Sequence, residues 1–458
     1  MKVLITGGSG LVGKRVVEEL FKEGHEVYLV TRNIERTKQK LYLPVHFVQG
    51  DLSKKPLSLD NQDFDAVINL AGENIGEKRW STSQKAKILK SRKSLALNLK
   101  KSLRKIGVLV QASAVGVYKK ELGDHWLDVA STSDNDFLAE VVREWENAAG
   151  EIKADRKVIL RIGAVISHEG GLIKKLLPIY RFGVGGKLGS GRQWMSWIHR
   201  EDLVTAIIRA LTGSHSGVFN AVSPHPIQNK EMNSLFSKYT QRPALFHAPR
   251  LAIKTILGEQ SIIALGSQRV KSNLADLGVH FQYPDFDAAL KKELGFMAAP
   301  PLVKENFHYI YRQVQYIDLP IEKVFDFFTE AKNLERITPD SLNFKITYQS
   351  TDKIQQGTVF RYRLKVHGLP VFWETHITDW KELESFSDYQ NKGPYQVWYH
   401  THLFEKCNNG TLMTDIVRYR LPMGLFGDLG GLWLVKKDIE KIFSHRALGF
   451  DQFLGELR

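Results

Sequence analysis

The amino-acid sequence predicts an α/β protein, with a doubly wound parallel sheet in its first part and a separate α+β region after it. The first part alternates short apolar strands with amphipathic helices, the pattern of a parallel sheet with helices on both faces. A glycine triplet follows the first of these strands directly. Residues 301–458 contain 26 of the 48 aromatic residues and alternate them with polar ones, which is typical of antiparallel strands with one covered face.

Six strands of the first part are predicted from apolar, β-branched runs. They are Lys2–Thr6, Glu26–Thr31, Val45–Gln49, Ala66–Leu70, Val108–Ser113 and Lys157–Arg161. A helix from Leu11 to about Glu23 follows the first strand and ends at Gly24, a residue type favoured at helix C-caps. The second part is predicted to begin with the helical stretch IEKVFDFFTEAKNLERI and to end with the helix WLVKKDIEKIFSHRALGFDQFLGEL. The glycine-bearing segment GLFGDLGG before that helix is expected to be a turn or a hinge.

Two domains are predicted, at residues 1–298 and 305–458, joined by a linker around Pro300 and Pro301. Residues 1–300 hold 44 Lys+Arg against 30 Asp+Glu, whereas residues 301–458 hold 20 of each. The excess of positive charge in the first domain favours an anionic cofactor or substrate, or simply reflects solvated helix faces. No nucleic-acid motif and no transmembrane segment are found, and the single cysteine, Cys407, fits a cytoplasmic protein.

The glycine triplet Gly7, Gly10 and Gly13 predicts a dinucleotide site between the first strand and the first helix. The first glycine permits a tight turn, the second a close approach of backbone to a pyrophosphate, and the third close packing of helix on strand. The phosphates would then face the positive end of a helix.

The end of the second strand predicts which dinucleotide is bound. NAD-binding proteins usually place Asp or Glu there to hold the ribose 2′-hydroxyl, but this chain reads VYLVTRN, with Arg32 at that point. A guanidinium suits the 2′-phosphate of NADP(H). The alternative is a surface arginine that follows a strand without binding anything.

With these features, residues 1–297 resemble an atypical epimerase family of the extended short-chain dehydrogenases, including a family-specific tail at about residues 247–297. The segments that carry the resemblance are ITGGSGLVG, NLAGENIGEKRW, SAVGVY, FLAEVVREWE, LRIGAVIS, GVGGKLGSGRQWMSWIHRED and LGSQRVKSNLADLGVHF. The resemblance implies cofactor contacts beyond the glycines and Arg32, with Asp51 and Leu52 near the adenine and Asn69–Gly72 along the ribose and nicotinamide side. The full expected set is Gly7, Ser9, Gly10, Leu11, Val12, Gly13, Arg32, Asp51, Leu52, Leu70, Ala71 and Gly72.

The sequence departs from typical short-chain dehydrogenases at the catalytic pair. Those enzymes use Tyr-x-x-x-Lys, in which the tyrosine transfers a proton and the lysine lowers its pKa. No tyrosine of this chain has Lys four residues later, and FLAEVVREWE places Phe137 and Val141 where the pair would stand. The remaining candidates for proton transfer or carbonyl binding are Ser113, Tyr118 and His199. For each of them the alternative is a purely structural role.

Residues 305–455 resemble the START-like superfamily, in which a curved antiparallel sheet wraps around a long C-terminal helix. The carrying segments are QVQYIDLPIEKVFDFFTEAKNLERITP, GTVFRYRLKVHGLPVFWETHI and TDIVRYRLPMGLFGDLG. The resemblance implies a cavity for an apolar ligand, and the alternative is a core filled by the aromatic side chains.

Two pairs of side chains in the second domain share strand faces, Glu374 with His376 and His400 with His402. A metal site is one interpretation of these pairs, and a structural role is favoured over it because no supporting group or Cys ligand accompanies them in sequence.

The sequence therefore favours an NADP(H)-dependent oxidoreductase or epimerase-like protein that acts on an unidentified, apolar or carrier-held carbonyl or hydroxyl substrate. The alternative is a non-catalytic NADP(H)-binding sensor or scaffold whose second domain binds a lipid or isoprenoid.

Overall fold

The computed structural model describes residues 1–59, 63–120, 123–294, 309–422 and 425–457, which fall into two compact units. Unit 1 comprises Met1–Thr37 and Val45–Glu293, and unit 2 comprises Lys38–Pro44 and Leu294–Arg458. The predicted linker around Pro300 and Pro301 lies outside the described residues. None of the described helices combines the length and apolar character that crossing a bilayer requires.

Unit 1 is built on a seven-stranded sheet in which every pairing is parallel. Its strands are β1 (Lys2–Thr6), β2 (Glu26–Thr31), β3 (His46–Gln49), β4 (Ala66–Asn69), β5 (Ile106–Ala114), β6 (Ala154–Ile162) and β7 (Gly217–Ala221). Their order in the sheet is β7-β6-β5-β4-β1-β2-β3. The strand order reverses next to β1, and ligands of such sheets bind in the crevice at that reversal. The predicted α/β fold class is confirmed.

Helices surround this sheet. They are α1 (Leu11–Lys22), α2 (Ile34–Lys38), α3 (Thr82–Ser102), α4 (Phe137–Gly150), α5 (Gly171–Arg181), α6 (Arg200–Thr212), α7 (Asn229–Thr240), α8 (Arg250–Leu257), α9 (Ile262–Leu265) and α10 (Phe286–Leu294). The described part of this unit also contains four short two-stranded ladders. They pair Trp126–Leu127 with Arg269–Val270, Ala164–Ser167 with Trp197–His199, Gly186–Leu188 with Phe246–Ala248, and Trp194–Met195 with Ile227–Gln228. The central strands are continuous apolar runs because both of their faces are buried, as the successive residues Leu4 and Ile5 of β1 and Val67 and Ile68 of β4 illustrate.

Unit 2 is a seven-stranded antiparallel sheet with a long C-terminal helix. Its strands are β8 (Tyr309–Ile317), β9 (Lys345–Gln349), β10 (Val359–Val366), β11 (Leu369–Lys381), β12 (Ser385–Lys392), β13 (Val397–Cys407) and β14 (Gly410–Arg420), in the order β8-β14-β13-β12-β11-β10-β9. The helices are α11 (Ile321–Thr329), α12 (Ala331–Arg336) and α13 (Leu425–Leu457).

The last helix of unit 2 is longer than the sequence indicated. Most of the segment GLFGDLGG lies inside α13, so the expected turn or hinge before the helix is wrong. Glycine weakens a helix only by about 1 kcal/mol per residue relative to alanine, which tertiary packing readily offsets. The helix contacts the sheet at Phe443, whose carbonyl accepts from Gln313 Nε2 of β8 at 3.0 Å, and contacts α11 at Phe450, whose ring lies 4.8 Å from that of Phe327.

Candidate functional site

The glycine turn lies at the carboxyl end of β1, beside the reversal of strand order. Gly7 has φ +71°, and a methyl group added there would come within 2.9 Å of the backbone nitrogen of Ala71. The N–H of Gly10 donates to the carbonyl of Gly7 at 3.0 Å, and Gly13 packs directly against this same carbonyl. Gly7 is therefore required by its positive φ and the nearby backbone, and Gly13 by the Gly7 carbonyl, which a methyl group there would meet at 2.2 Å, whereas at Gly10 the same carbonyl would lie at 3.1 Å.

The helix N-terminus next to this turn is open to a ligand. Gly10 is the N-cap of α1 and makes no side-chain cap, and the first turn contains no acidic residue. Ser9 and Gly10 are exposed, while Leu11 and Val12 are half-buried. Free N–H groups and the helix dipole at this point favour an anion such as a pyrophosphate.

A row of buried amides and hydroxyls holds the loop that faces the turn. Thr6 donates to Asn69 Oδ1 at 2.6 Å, and Asn69 Nδ2 donates to Gln111 Oε1 at 2.8 Å. The Thr6 hydroxyl also accepts from the N–H of Ala71 at 3.3 Å. Side chains from β1, β4 and β5 thus fix the position of Leu70, Ala71 and the exposed Gly72.

The end of β2 presents Arg32 to solvent, and Arg36 in the first turn of α2 is also exposed. Across from them, Asp51 accepts from the hydroxyl and the N–H of Ser53 at 2.6 and 3.1 Å. Burial opposes ionisation of Asp51, but these hydrogen bonds, with smaller contributions from nearby Lys54 and Arg32, hold its pKa below the usual value. Leu52 beside it is buried.

Sequence reasoning missed Arg92, which α3 places against the loop at Gly72. A methyl group added to Gly72 would come within 3.2 Å of the guanidinium carbon, which also stacks on Trp145 at 4.8 Å. Burial lowers the pKa of Arg92 to about 10, against a smaller opposing effect of Glu73. Within the described ranges, no carboxylate forms an ion pair with Arg92.

The positions of the usual tyrosine and lysine are occupied by an apolar cluster. Phe137 and Val141, both on α4, pack with Ile88 of α3. The ring of Phe137 lies 5.1 Å from Trp80, and Lys85 lies over it at 4.7 Å. Neither side chain can transfer a proton, in keeping with the departure that the sequence showed.

Ser113 lies at the end of β5 and is 3% exposed. Its hydroxyl donates to Glu146 of α4 at 2.5 Å, and Glu146 accepts from Arg161 through both carboxylate oxygens at 2.9 Å. Ser113 and Arg161 are register partners on β5 and β6. The arginine inside the otherwise apolar strand ILRI was a sequence signal for a buried carboxylate partner.

Tyr118 continues the same network and is completely buried. Its hydroxyl accepts from Arg161 at 2.9 Å and donates to Asn220 Oδ1 of β7 at 2.6 Å. Lys119 and Lys120 follow Tyr118 in the sequence, and a neighbouring cation would lower the pKa of a phenol. Instead burial raises its pKa, although Arg161 and Asn220 act in the opposite direction. The cation beside the phenol is Arg161, and Lys120 instead pairs with Asp136 at 2.6 Å.

His199 is 1% exposed and uses both ring nitrogens. Its Nδ1 accepts from the N–H of Glu201 at 3.3 Å as the N-cap of α6, so Nε2 carries the hydrogen and donates to Glu293 at 2.7 Å. Burial alone would raise the pKa of Glu293, but His168 and then His199 hold it well below its usual range. This geometry favours a structural role for His199.

In unit 2 the two pairs of side chains have different surroundings. Glu374 accepts from Arg361 at 2.9 Å, and His376 is 39% exposed. His400 and His402 are instead buried beside two carboxylates that the sequence did not associate with them, Asp388 and Asp415.

Comparison with known proteins identifies relatives of the first unit. Residues 3–221 match the NAD dependent epimerase/dehydratase family, and residues 248–293 match a domain of unknown function designated DUF1731. The chain is 36% identical over 303 residues to the "Epimerase family protein SDR39U1 homolog, chloroplastic" of Arabidopsis thaliana, covering 64% of this chain and 86% of that one.

Two solved structures are similar to the chain. The human epimerase family protein SDR39U1 (isoform2), crystallised with NADPH, has 31% identity and a TM-score of 0.57, covering 64% of this chain and 99% of that one. A nucleoside-diphosphate sugar epimerase from Corynebacterium glutamicum has 31% identity and a TM-score of 0.50, covering 64% of this chain and 58% of that one.

Proposed function

Because the chain belongs to the NAD dependent epimerase/dehydratase family, we propose that its first unit binds NADP(H) and uses it in hydride transfer with a carbonyl or hydroxyl substrate. The observation that carries the proposal is the open N-terminus of α1 behind the Gly7–Gly10–Gly13 turn, at the reversal of strand order. The NADPH bound to the human relative supports the same cofactor.

Arg32 and Arg36 account for the choice of NADP(H) over NAD(H). Both are exposed at the end of β2, and neither Asp nor Glu occupies the last positions of that strand. A 2′-phosphate carries negative charge and accepts hydrogen bonds from a guanidinium fork, whereas a 2′-hydroxyl gains little from it.

Arg92 provides a positive charge in place of the lysine of typical short-chain dehydrogenases, whose position Val141 occupies in this chain. NADP(H) supplies or accepts the hydride when bound, and its ribose and nicotinamide side is expected along Leu70, Ala71 and Gly72. Arg92 lies directly against this loop, is half-buried, and has a hydrogen bond only to the Ile88 carbonyl at 3.4 Å among its described contacts. Its guanidinium is therefore placed to bind the ribose hydroxyls or to polarise a substrate carbonyl.

A second candidate function, a non-catalytic NADP(H) sensor or scaffold, is favoured by one observation. Ser113, Tyr118 and His199 are all buried, and every one of them is engaged in hydrogen bonds to other protein groups. A group that transfers a proton must reach the substrate, so none of the three supports chemistry in this arrangement.

Absorbance of NADPH over a carbonyl library distinguishes the two functions. We expect slow turnover that Arg92→Met abolishes, while Ser113→Ala, Tyr118→Phe and His199→Ala retain it in proportion to folded protein. Lys93→Met, next to Arg92 on α3 but exposed, is the matched control. Tight NADPH binding without turnover of any substrate would instead establish the sensor function.

For unit 2 we propose a START-like domain, with boundaries near residues 305–458, that binds an apolar ligand for the first unit. An antiparallel sheet closed by the 33-residue helix α13 supports this assignment. Thermal unfolding of the full-length protein with a panel of lipids and isoprenoids tests it. At least one compound should raise the unfolding temperature of unit 2, and a uniform lack of effect would favour a filled aromatic core.

A further inference from the structure

Four ionisable side chains meet on one face of the sheet of unit 2. His400 and His402 are two residues apart on β13 and therefore point to the same side. Asp388 of β12 is the register partner of His400, and Asp415 of β14 is the register partner of His402. Directly opposed residues of antiparallel strands share a face, so the register of three adjacent strands brings the four groups together.

The surroundings of this cluster are aromatic and largely closed to water. His400, His402 and Asp415 are buried, and the side chain of Asp388 is 16% exposed. The ring of His402 stacks on Phe386 at 4.3 Å, and His400 meets Phe443 of α13 edge-on at 5.2 Å. Two carboxylates in such a place need strong compensation, which pairing or a metal ion provides.

The ring nitrogens of the two histidines divide into two sets. His400 Nε2 and His402 Nδ1 lie 3.0 and 2.9 Å from the same oxygen of Asp415. The opposite nitrogens, His400 Nδ1 and His402 Nε2, lie 3.3 and 4.0 Å from Oδ2 of Asp388. One carboxylate oxygen thus lies behind both rings, with a hydrogen bond to His400 alone, and the other carboxylate faces their remaining nitrogens.

The facing atoms have the spacing of metal ligands. One ligand atom each from Asp388, His400 and His402 lies within 4.8 Å of the other two. Ligands about 2.1 Å from a common metal ion lie at most about 4.2 Å apart. The two distances to Asp388 are within this limit, and a small movement of the rings would bring all three atoms within it. His402 Nδ1, on the Asp415 side, is buried without a properly oriented hydrogen bond, so a small rotation of this ring is needed before Asp415 holds it as it holds His400.

We propose that Asp388, His400 and His402 bind a divalent transition-metal ion of the Zn²⁺ or Fe²⁺ class, with Asp415 orienting both imidazoles. Two imidazoles and one carboxylate form a donor set used for both ions, with coordination positions left for water or a ligand. Histidines that bind metals usually donate their second nitrogen to a carboxylate, the position that Asp415 occupies.

One further charged side chain, Arg446 of α13, faces the cluster, and replacing it gives a second test of metal binding. Arg446 of α13 interacts electrostatically with both Asp415 and Asp388, and its Nε is buried without a hydrogen-bond partner. Its positive charge opposes the binding of a cation. Arg446→Gln is therefore expected to tighten metal binding, a result that a purely structural histidine–carboxylate cluster does not produce.

The test uses full-length protein stripped with a chelator and titrated with Co²⁺, Zn²⁺ and, without oxygen, Fe²⁺. We expect a single equivalent to bind, a Co²⁺ absorption spectrum typical of nitrogen and oxygen ligands, and affinity at least about tenfold lower in Asp388→Asn, His402→Gln and Asp415→Asn. His376→Gln, which changes an exposed histidine on the neighbouring strand β11, is the control and should bind as the wild type does.

Two results would overturn the proposal: no binding of any of the three ions by folded wild-type protein at micromolar concentrations, or wild-type affinity in both Asp388→Asn and His402→Gln. Circular dichroism establishes that each variant is folded. If His402→Gln unfolds, Asp388→Asn decides the question, because Asp388 is partly exposed and asparagine keeps its shape.

Discussion

Replacing Glu146 with glutamine removes the negative charge from the buried network that joins Ser113, Arg161 and Tyr118. The side chains of Glu146 and Arg161 are only 14% and 13% exposed, so the arginine would keep its charge with little access to water. Breaking a buried ion pair costs about 3–5 kcal/mol, and since glutamine retains one acceptor oxygen we expect about 2–3 kcal/mol here.

The assay is urea unfolding of full-length protein, followed by circular dichroism, together with calorimetric titration of NADPH. Glu144→Gln is the matched control, because Glu144 lies on the same helix and pairs with Lys93 at 2.7 Å in an exposed position. Solvent screens that pair, so its loss should change stability very little. NADPH affinity is expected to stay unchanged in both variants.

Two outcomes would refute this reasoning. Equal stability of the Glu146→Gln and Glu144→Gln variants would mean that the network does not hold α4 against the sheet. A variant with unchanged stability but no hydride transfer would mean that Glu146 acts through Ser113 on the substrate, and the network would then belong to the chemistry.

Three further predictions concern other residues. We expect calorimetry to show that the wild type prefers NADPH over NADH by about 10–150-fold, and that Arg32→Asp reverses this preference. Lys119→Asp, which makes the same change of charge at an exposed position elsewhere, should leave the preference unchanged. Equal affinities of the wild type for the two cofactors would contradict the role of Arg32. Tyr118→Phe leaves Asn220 Oδ1 without its donor and should destabilise unit 1 by about 1–3 kcal/mol in urea unfolding, with no loss of NADPH binding. Because the pKa of Glu293 is lowered in the folded state, this carboxylate should contribute fully to stability above its unfolded-state pKa of about 4.3, and the contribution should decline as the pH falls below that value. Glu293→Gln should therefore remove this acid dependence from the unfolding temperature. A variant whose unfolding temperature varies with pH as in the wild type would contradict this assignment.

The parts of the molecule that sequence predicts well depend on local signals. β1, β2 and the turn through Gly7 are recognisable because a strand buried on both faces is a continuous apolar run and because the turn needs glycine. The start of α13 was misjudged because glycine content is a local signal and packing of the helix is not.

The partners of the candidate residues could not be predicted for a different reason. Glu293 is 94 residues from His199, and only the tertiary fold brings them together. Asp388 meets His400 through the register between β12 and β13, which depends on the geometry of the hairpin that joins them. A shift of one residue would have turned Asp388 to the other face, so no pattern in the sequence specifies that contact.

The short segment Lys38–Pro44 has a consequence for how the chain can be cut. It belongs to unit 2, where the N–H of Tyr316 donates to the carbonyl of Tyr42 at 2.9 Å along β8, the strand at one end of the sheet. A fragment that begins after residue 300 would lack this segment and leave the N–H of Tyr316, on the outer side of β8, without the Tyr42 carbonyl. Such an uncovered strand is a template for association with other chains, so the excised second unit should self-associate unless residues 38–44 are supplied as a peptide.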